Sequence, residues 1–225
     1  MDLRGNIDWE VSEGLTPYPD AVARMETLQA SIRDTGGREL VWLLEHPPVY
    51  TSGTSADPAE LLSQQFPVYD TGRGGRYTYH GPGQRVGYVM FDLARRGKDV
   101  RCYVHALEGW VIDALGQFGI EARRAEGRIG IWCDTQDGQE AKIGAIGVRI
   151  RKWVTMHGFA VNISPDLSHF AGIVPCGISE YPVTSLAALG VKAGLADFDA
   201  ALSDTFPHFL NSLAKAGGNC TVATS

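Results

Sequence analysis

The sequence predicts an α/β fold of the α+β type, in which a mixed and antiparallel sheet is flanked by helices. Apolar residues recur at helical spacing from Tyr18 until Gly36 interrupts them. A second helical stripe begins after Asp99, which is expected to cap it, and ends before Gly119. Beyond Ile120 the pattern changes to short apolar strands separated by turn residues.

Mostly apolar runs at 40–44 and 86–93 predict two buried strands. Three antiparallel strands are expected after Ile120, around 129–133, from 141 onwards and over 153–163, with Asp137-Gly138 as the first turn. Further helices are predicted at 165–170, 185–189 and 198–213. Pro207 is expected to kink or break the last of these. No element is predicted in the polar residues 1–18, and 49–67 is expected to be loop and short helix.

The size and composition predict one domain over 1–225, with a core from about residue 20 to 215. The apolar fraction of 44% suits a globular core. No run approaches the roughly 20 apolar residues of a membrane span, and the first residues lack a secretion signal, so a cytoplasmic location is expected. The four cysteines include no C-x-x-C pair, and neither a metal nor a cofactor is predicted.

The net charge of −6 is unevenly distributed along the chain. Residues 73–152 carry 14 Lys and Arg against 9 Asp and Glu. Such a block could attract an acidic partner, although composition alone favours a solvated basic face. A pI near 5.5 lacks the basic signature of nucleic-acid binding proteins.

A glycine-rich segment at 73–84 is the first candidate ligand-binding loop. Its four glycines allow the backbone to approach a ligand closely and to present amide donors. No Gly-Lys-Ser/Thr follows, which excludes a phosphate loop. The spacing of Tyr77 and Tyr79 predicts a strand with Thr78 and His80 on its other face. A structural glycine hairpin is the alternative, and His80 alone is more typical of a hydrogen-bonded structural histidine.

Lys142 and Cys176 form the candidate catalytic pair. Lys142 lies in an apolar, glycine-spaced strand, where a lysine is costly unless it has a function. Cys176 stands between a proline and a glycine, at a bend that could turn its sulfur toward a cleft. A desolvated amine could take up the thiol proton, and a charged one could stabilise the thiolate. The residues alone leave open an inert buried thiol and a lysine that reaches solvent from an edge strand.

Four motifs together resemble the octanoyltransferases of lipoate biosynthesis (lipoyl/octanoyl-acyl carrier protein:protein transferases). They are Arg-Gly-Gly-x-x-Thr-Tyr-His-Gly-Pro-Gly-Gln at 73–84, Lys-Ile-Gly-Ala-Ile-Gly-Val at 142–148, His-Gly-Phe-Ala-x-Asn-Ile at 157–163 and Pro-Cys-Gly-Ile at 175–178. The likeness covers roughly residues 40–190. It implies the fold of the biotin and lipoate protein ligase catalytic domains. The ends, 1–20 and 190–225, match weakly, and nothing is carried over to them.

The resemblance implies a function and a set of site residues. Octanoyl groups would pass from octanoyl-acyl carrier protein to a lysine of a lipoyl domain, through a thioester on Cys176 activated by Lys142. The acceptors would be the E2 subunits of 2-oxoacid dehydrogenases and the glycine cleavage H protein, without nucleic acid or membrane as partner. The residues implied to bind the acyl substrate are Arg73, Gly74, Gly75, Arg76, Tyr77, Thr78, Tyr79, His80, Ala145, Ile146, Gly147, Gly158, Phe159 and Ala160.

Three other functions remain open at this stage. An ATP-dependent lipoate or biotin ligase would keep the strand lysine but would not need a nucleophile at Cys176. A cysteine hydrolase would pair Cys176 with His80 or His157 and use water as acceptor. A non-catalytic binder of acyl groups or carrier protein would form no covalent adduct. Acyl transfer without ATP, and an adduct on Cys176, separate these possibilities.

Overall fold

The structure is a computed structural model that describes residues 6–174 and 181–216, with side chains described as far as residue 214. Ten strands form two sheets: β1 Ile7–Leu15, β2 Glu39–Glu45, β3 Val49–Ser52, β4 Val68–Asp70, β5 Thr78–His80, β6 Gln84–Met90, β7 Arg123–Ala125, β8 Arg128–Asp134, β9 Glu140–Arg151 and β10 Val154–Asn162. The helices are α1 Tyr18–Thr35, α2 Val100–Gly116 and α3 Leu195–Ala216. Short 3₁₀ helices lie at Pro58–Glu60, Leu93–Arg96 and Leu167–Gly172.

The larger sheet has seven strands in the order β1-β2-β6-β10-β9-β8-β7. Only the β1–β2 pair is parallel, and the other five neighbours run antiparallel. A smaller sheet has the order β4-β3-β5, with β3 and β4 parallel. The predicted mixed and antiparallel sheet with flanking helices is therefore confirmed.

Helices cover both faces of the larger sheet. The apolar stripes of α2 and α3 pack on one face, where the Trp110 and Phe209 rings stack with centroids 4.8 Å apart. The buried side of α1, including Met25, packs on the other face against Trp42 and Met156. The Asp99 carboxylate accepts a hydrogen bond from the Cys102 N–H at the start of α2, as its sequence position predicts. Within the described ranges, no helix is long and apolar enough to cross a membrane.

Four expectations from the sequence differ from the structure. Residues 7–15 form β1, which hydrogen-bonds to β2, and 49–52 form β3 rather than loop. Residues 185–189 form a turn that ends at Gly190 with φ +81°, because a five-residue apolar segment has too few residues to sustain a helix. α3 begins at Leu195 and continues through Pro207 to Ala216, so the proline does not break it, and the alternative of a kink stays a prediction.

Candidate active site

A cavity of about 380 Å³ lies between the 73–80 segment and strands β9 and β10. All the predicted acyl-binding residues except Tyr79 line it: Arg73, Gly74, Gly75, Arg76, Tyr77, Thr78, His80, Ala145, Ile146, Gly147, Gly158, Phe159 and Ala160. Lys142 lines it as well. The structure thus brings together residues from three motifs that are up to 87 positions apart in sequence.

Tyr79 lies outside the cavity because strand side chains alternate. Its neighbours Thr78 and His80 face the cavity, whereas Tyr79 is buried with Tyr50 and Phe170 beneath the smaller sheet. The Tyr79 hydroxyl is 2.8 Å from His169 Nδ1. Burial raises the pKa of Tyr79 to about 12. Tyr79 therefore supports β5 from behind.

Arg73 holds the glycine-rich segment against the sheets. Its side chain is 7% exposed and donates hydrogen bonds to the Thr51 carbonyl and hydroxyl and to the Gly74 carbonyl. The Gly74 N–H donates to the Val148 carbonyl at 3.1 Å, which docks the segment onto β9. Gly147 leaves room for this arrangement, since a Cβ there would lie 2.9 Å from Arg73 Cδ.

Lys142 is buried in the cavity wall with 7% of its surface exposed. Its Nζ donates to the Ile129 carbonyl at 2.9 Å and lies 5.4 Å from the centre of the Trp132 ring. Its backbone N–H donates to the Pro182 carbonyl, and its carbonyl accepts from the Thr184 N–H, both at 2.9 Å. The backbone of Lys142 is therefore fixed by the segment 182–184 as well as by its own sheet.

Cys176 lies outside the described residues, which end at Val174 and resume at Tyr181. The proximity of Cys176 to Lys142 stays a prediction. The described residues on either side of it are anchored: the Val174 N–H donates to the Glu60 carbonyl at 2.8 Å, and Pro182 is bonded to Lys142.

The cavity has further lining residues that the sequence did not single out. Tyr18 from α1 precedes all four motifs, and Tyr88 from β6 lies between the first and the second. The Tyr18 hydroxyl is 3.3 Å from Nε2 of His157, a residue 139 positions away. No sequence signal links such a pair, because the contact depends on how α1 packs on the sheet.

His157 has an unusual backbone conformation. Its φ of +62° is in the left-handed region, which a non-glycine residue rarely adopts. The ring lines the cavity and is 4% exposed. Its Nδ1 is buried and has no hydrogen-bond partner within the part of the chain that the structure describes. Strained residues of this kind concentrate at functional sites.

The three histidines of this region are neutral. The pKa of His46 is lowered to about 4, and those of His80 and His157 to about 3, mainly because burial disfavours the charged ring. The His46 ring must donate from Nδ1 to the Thr16 carbonyl at 2.6 Å, so its Nε2 accepts from the Tyr88 hydroxyl at 2.7 Å.

The described lining of the cavity contains four cationic side chains and no carboxylate: Arg73, Arg76, Arg128 and Lys142 carry the charge. Much of the remaining wall is glycine, alanine and apolar side chain. Such a cavity suits an uncharged, flexible chain, and Lys142 places one amine in its wall.

Comparisons with known proteins agree on one family. A family model described as the lipoyl protein ligase A/B catalytic domain matches residues 17–207. The chain is 69% identical to an octanoyltransferase of Sphingopyxis alaskensis over 91% of this chain and 94% of the relative. It is 60% identical to an octanoyltransferase of Rhizorhabdus wittichii, over 95% and 96% of the two chains.

Solved structures share the fold at low sequence identity. A bipartite lipoate protein ligase of Thermoplasma acidophilum, solved with its E2 lipoyl domain, has a TM-score of 0.66 and 17% identity, covering 92% of this chain and 90% of that one. A biotin protein ligase of Aquifex aeolicus has a TM-score of 0.54 and 13% identity, covering 94% and 72%. The expected similarity to the ligase catalytic domains is confirmed at the level of fold.

Proposed function

The chain belongs to the lipoyl protein ligase A/B catalytic domain family and is an octanoyltransferase of lipoate biosynthesis, and from this we propose that it works through a thioester on Cys176 that Lys142 activates. The donor is octanoyl-acyl carrier protein. The acceptor is a lysine on the lipoyl domains of 2-oxoacid dehydrogenase E2 subunits and on the glycine cleavage H protein.

The first step exchanges one thioester for another. Lys142 takes the proton of the Cys176 thiol, and the thiolate attacks the octanoyl carbonyl carbon. The bond from that carbon to the Cys176 sulfur forms, the bond to the carrier sulfur breaks, and the proton passes to the departing carrier thiolate. Because the two thioesters are similar in free energy, this step needs no ATP.

The second step makes an amide. The acceptor lysine arrives as an ammonium, loses a proton to Lys142 and attacks the acyl carbon of the Cys176 thioester. The carbon–nitrogen bond forms and the carbon–sulfur bond breaks. The second proton of the attacking amine passes to the departing Cys176 thiolate, and Lys142 releases the first to solvent. Replacing a thioester by an amide is downhill, so the reaction is driven without a cofactor.

One observation carries this proposal: Lys142 is buried in the wall of the same cavity that the acyl-binding motifs line. The amine therefore lies among the residues proposed to bind the acyl chain, where the reaction needs a proton acceptor for a thiol and for an ammonium. The Pro182 carbonyl accepts a hydrogen bond from the Lys142 backbone, which keeps the chain six residues after Cys176 close to the lysine and supports the proposed pairing.

The rival functions fit less well. The ligases of this fold match at 13–17% identity, whereas the relatives at 54–69% are octanoyltransferases. A hydrolase would need His80 or His157 as its base, but both have a pKa of about 3 and are therefore weak proton acceptors at neutral pH.

The test is mass spectrometry of the protein after incubation with octanoyl-acyl carrier protein in the absence of ATP and acceptor. We expect one octanoyl adduct, on the peptide that contains Cys176, and its loss when a lipoyl domain is added. Cys176→Ser is expected to abolish the thioester, and Lys142→Ala to slow its formation about 100-fold or more.

Cys133→Ala is the matched control, because Cys133 is a buried free thiol in the core and not part of the cavity lining. It is expected to keep the adduct. An adduct on another residue, or loss of the octanoyl group to water at the same rate with and without a lipoyl domain, would refute the proposed mechanism.

A further inference from the structure

We infer that Gly130 on β8 is a positioning residue that fixes the Lys142 side chain in the cavity wall, an inference that rests on the proposed role of Lys142. Gly130 is not part of any motif that carries the family resemblance. Its effect on the reaction would be indirect, through the location of one amine.

The first observation is the contact between the Gly130 backbone and the lysine side chain. A Cβ at position 130 would lie 2.4 Å from Lys142 Cε and 2.8 Å from Lys142 Nζ. It would also lie 2.9 Å from the Gly144 carbonyl oxygen, which is backbone and cannot rotate away. The lysine therefore occupies the space that a side chain at 130 would fill.

The second observation is the backbone conformation of Gly130. Its φ of +131° is far from the values that residues with a side chain adopt. The pairing of β8 with β9 is irregular just beyond it: Ile131 lies opposite Gly144, whereas Trp132 lies opposite Lys142. β9 therefore has one more residue than β8 in this stretch, as in a β-bulge.

Gly130, the residue before it and the residue two positions after it in β8 each contribute to fixing the amine. The Ile129 carbonyl, just before Gly130, accepts a hydrogen bond from Lys142 Nζ at 2.9 Å. The Trp132 ring lies 5.4 Å from the same nitrogen, within the range of a cation–π contact. The carbonyl, the open space and the ring form a seat for Nζ, hereafter the lysine seat (Ile129, Gly130 and Trp132).

The lysine seat has a chemical consequence. One N–H of Lys142 is directed at the Ile129 carbonyl whether the amine is neutral or charged, because both forms have N–H donors. The amine belongs to a residue of the cavity wall, so the place of this hydrogen bond sets where the amine can meet a reacting group. Proton exchange falls steeply when the base is misplaced, and a displacement of about 1 Å can reduce a rate about 100-fold.

Gly130→Ala tests this inference. We expect kcat for octanoyl transfer to fall about 100-fold, with less than a threefold change in KM for the acyl donor, because the amine moves while most of the cavity wall stays. Gly138→Ala is the control. Gly138 also has a positive φ, +80°, in the turn between β8 and β9, but nothing lies within 4 Å of the Cβ position.

A second measurement separates positioning from general damage to β8. Alkylation of Cys176 by iodoacetamide, followed at the peptide level between pH 6 and pH 9, reports the thiolate fraction without substrate. Gly130→Ala is expected to shift this pH profile upward, and Gly138→Ala to leave it unchanged. The melting temperature of each variant is measured in parallel.

The deciding experiment combines Gly130→Ala with Lys142→Ala. If Gly130 acts through Lys142, Gly130→Ala changes the alkylation profile and kcat of the otherwise unmodified protein. In the Lys142→Ala background it has no further effect on either quantity. An equal fall in both backgrounds would overturn the inference, and so would an unchanged profile in Gly130→Ala alone.

The two levels of the proposal fail in distinguishable ways. If Lys142→Ala leaves the Cys176 profile and octanoyl transfer unchanged, the proposed function of the pair is wrong. If Lys142→Ala changes both while Gly130→Ala matches the Gly138→Ala control, the pair stands and the positioning role of Gly130 is wrong.

Discussion

Three neutral imidazoles next to one cavity make the fold sensitive to acid. His46, His80 and His157 are each less than a tenth exposed, and their pKa values are lowered to between about 3 and about 4. In the unfolded chain, each ring takes up a proton near its ordinary pKa of about 6.5. Below that pH the unfolded state therefore binds more protons than the folded state, and stability is lost as pH falls.

The first prediction concerns this loss. Between pH 7 and pH 5 each of the three histidines is expected to lower the free energy of unfolding by about 2 kcal/mol, an order-of-magnitude figure. Urea denaturation at pH 7, 6 and 5 measures it. His157→Asn, whose side chain tolerates a positive φ, is expected to reduce the pH-dependent loss by about a third.

His208 provides the control, because its ring is on the surface, with 70% of the side chain exposed next to Asp113. His208→Asn is expected to keep the full loss of stability between pH 7 and pH 5. A free energy of unfolding that stays constant over this range in the unmodified protein would contradict the neutral, buried state of the three rings.

At the scale of single residues, the sequence predicts functional residues whose type is unusual for the neighbouring sequence. Lys142 is detectable because a lysine interrupts an apolar strand, and the 73–80 segment because glycines cluster there. The same signal does not reveal Tyr18 or the backbone conformation of His157. Tyr18 reaches the cavity only through the packing of α1, and the positive φ of His157 is a property of the folded strand.

At the scale of elements, two glycines at the contact between β6 and β10 stand where a side chain would not fit. A Cβ on Gly158 would lie 2.3 Å from the Gly87 carbonyl oxygen. Gly87 in turn accommodates the Phe159 ring, which would lie 2.2 Å from a Cβ there. These two glycines let β6 and β10 pair while Phe159 packs into the core.

The second prediction follows from this contact. Gly158→Ala is expected to lower the free energy of unfolding by about 2 to 4 kcal/mol, because the added methyl meets backbone rather than a mobile side chain. Gly116→Ala, at the end of α2 where nothing lies within 4 Å of the Cβ position, is expected to raise it by about 0.5 kcal/mol. Chemical denaturation of both variants compares them, and equal effects would count against the close approach.

The elements that the sequence missed share a physical cause. β1 alternates polar and partly buried residues at the edge of the sheet and is held by parallel pairing to β2, some 30 residues away. Such pairing depends on long-range contacts rather than on local propensity. The strands β2 and β6 were predictable because burial on both faces favours a mostly apolar run.

At the scale of the whole molecule, the basic block at 73–152 is largely neutralised. Eight of its fourteen cationic side chains form ion pairs: Arg76, Arg85, Arg95, Arg96, Arg123, Arg124, Arg128 and Arg149. Four of the carboxylates come from outside the block: Glu26, Glu39, Glu60 and Asp199. The folded protein therefore presents less positive charge here than its sequence indicates.

Arg151 is the better probe of whether the basic block attracts an acidic protein partner. It is exposed at the turn between β9 and β10, whereas Arg149 packs over Gly72 and faces Glu26 at 3.8 Å. Reversing Arg149 would therefore disturb the segment next to Arg73 as well as the surface charge.

The third prediction is that Arg151→Glu raises KM for octanoyl-acyl carrier protein about threefold at low salt, and that the effect fades as salt increases. Steady-state kinetics at two ionic strengths measure it. Lys192→Glu, an exposed reversal with the same change in net charge, is the control. Equal effects of the two variants would show that overall charge, and not this turn, attracts the carrier.

The lysine seat gives the protein a natural optical signal. The Trp132 indole is 1% exposed, with its ring 5.4 Å from Lys142 Nζ and 5.5 Å from the Tyr181 ring. Indole emission responds to nearby charge. The proton transfer proposed for Lys142 should therefore change the fluorescence of Trp132. Rapid mixing with acylated carrier would then follow the covalent steps in real time without a label, and Trp132→Phe would silence the signal.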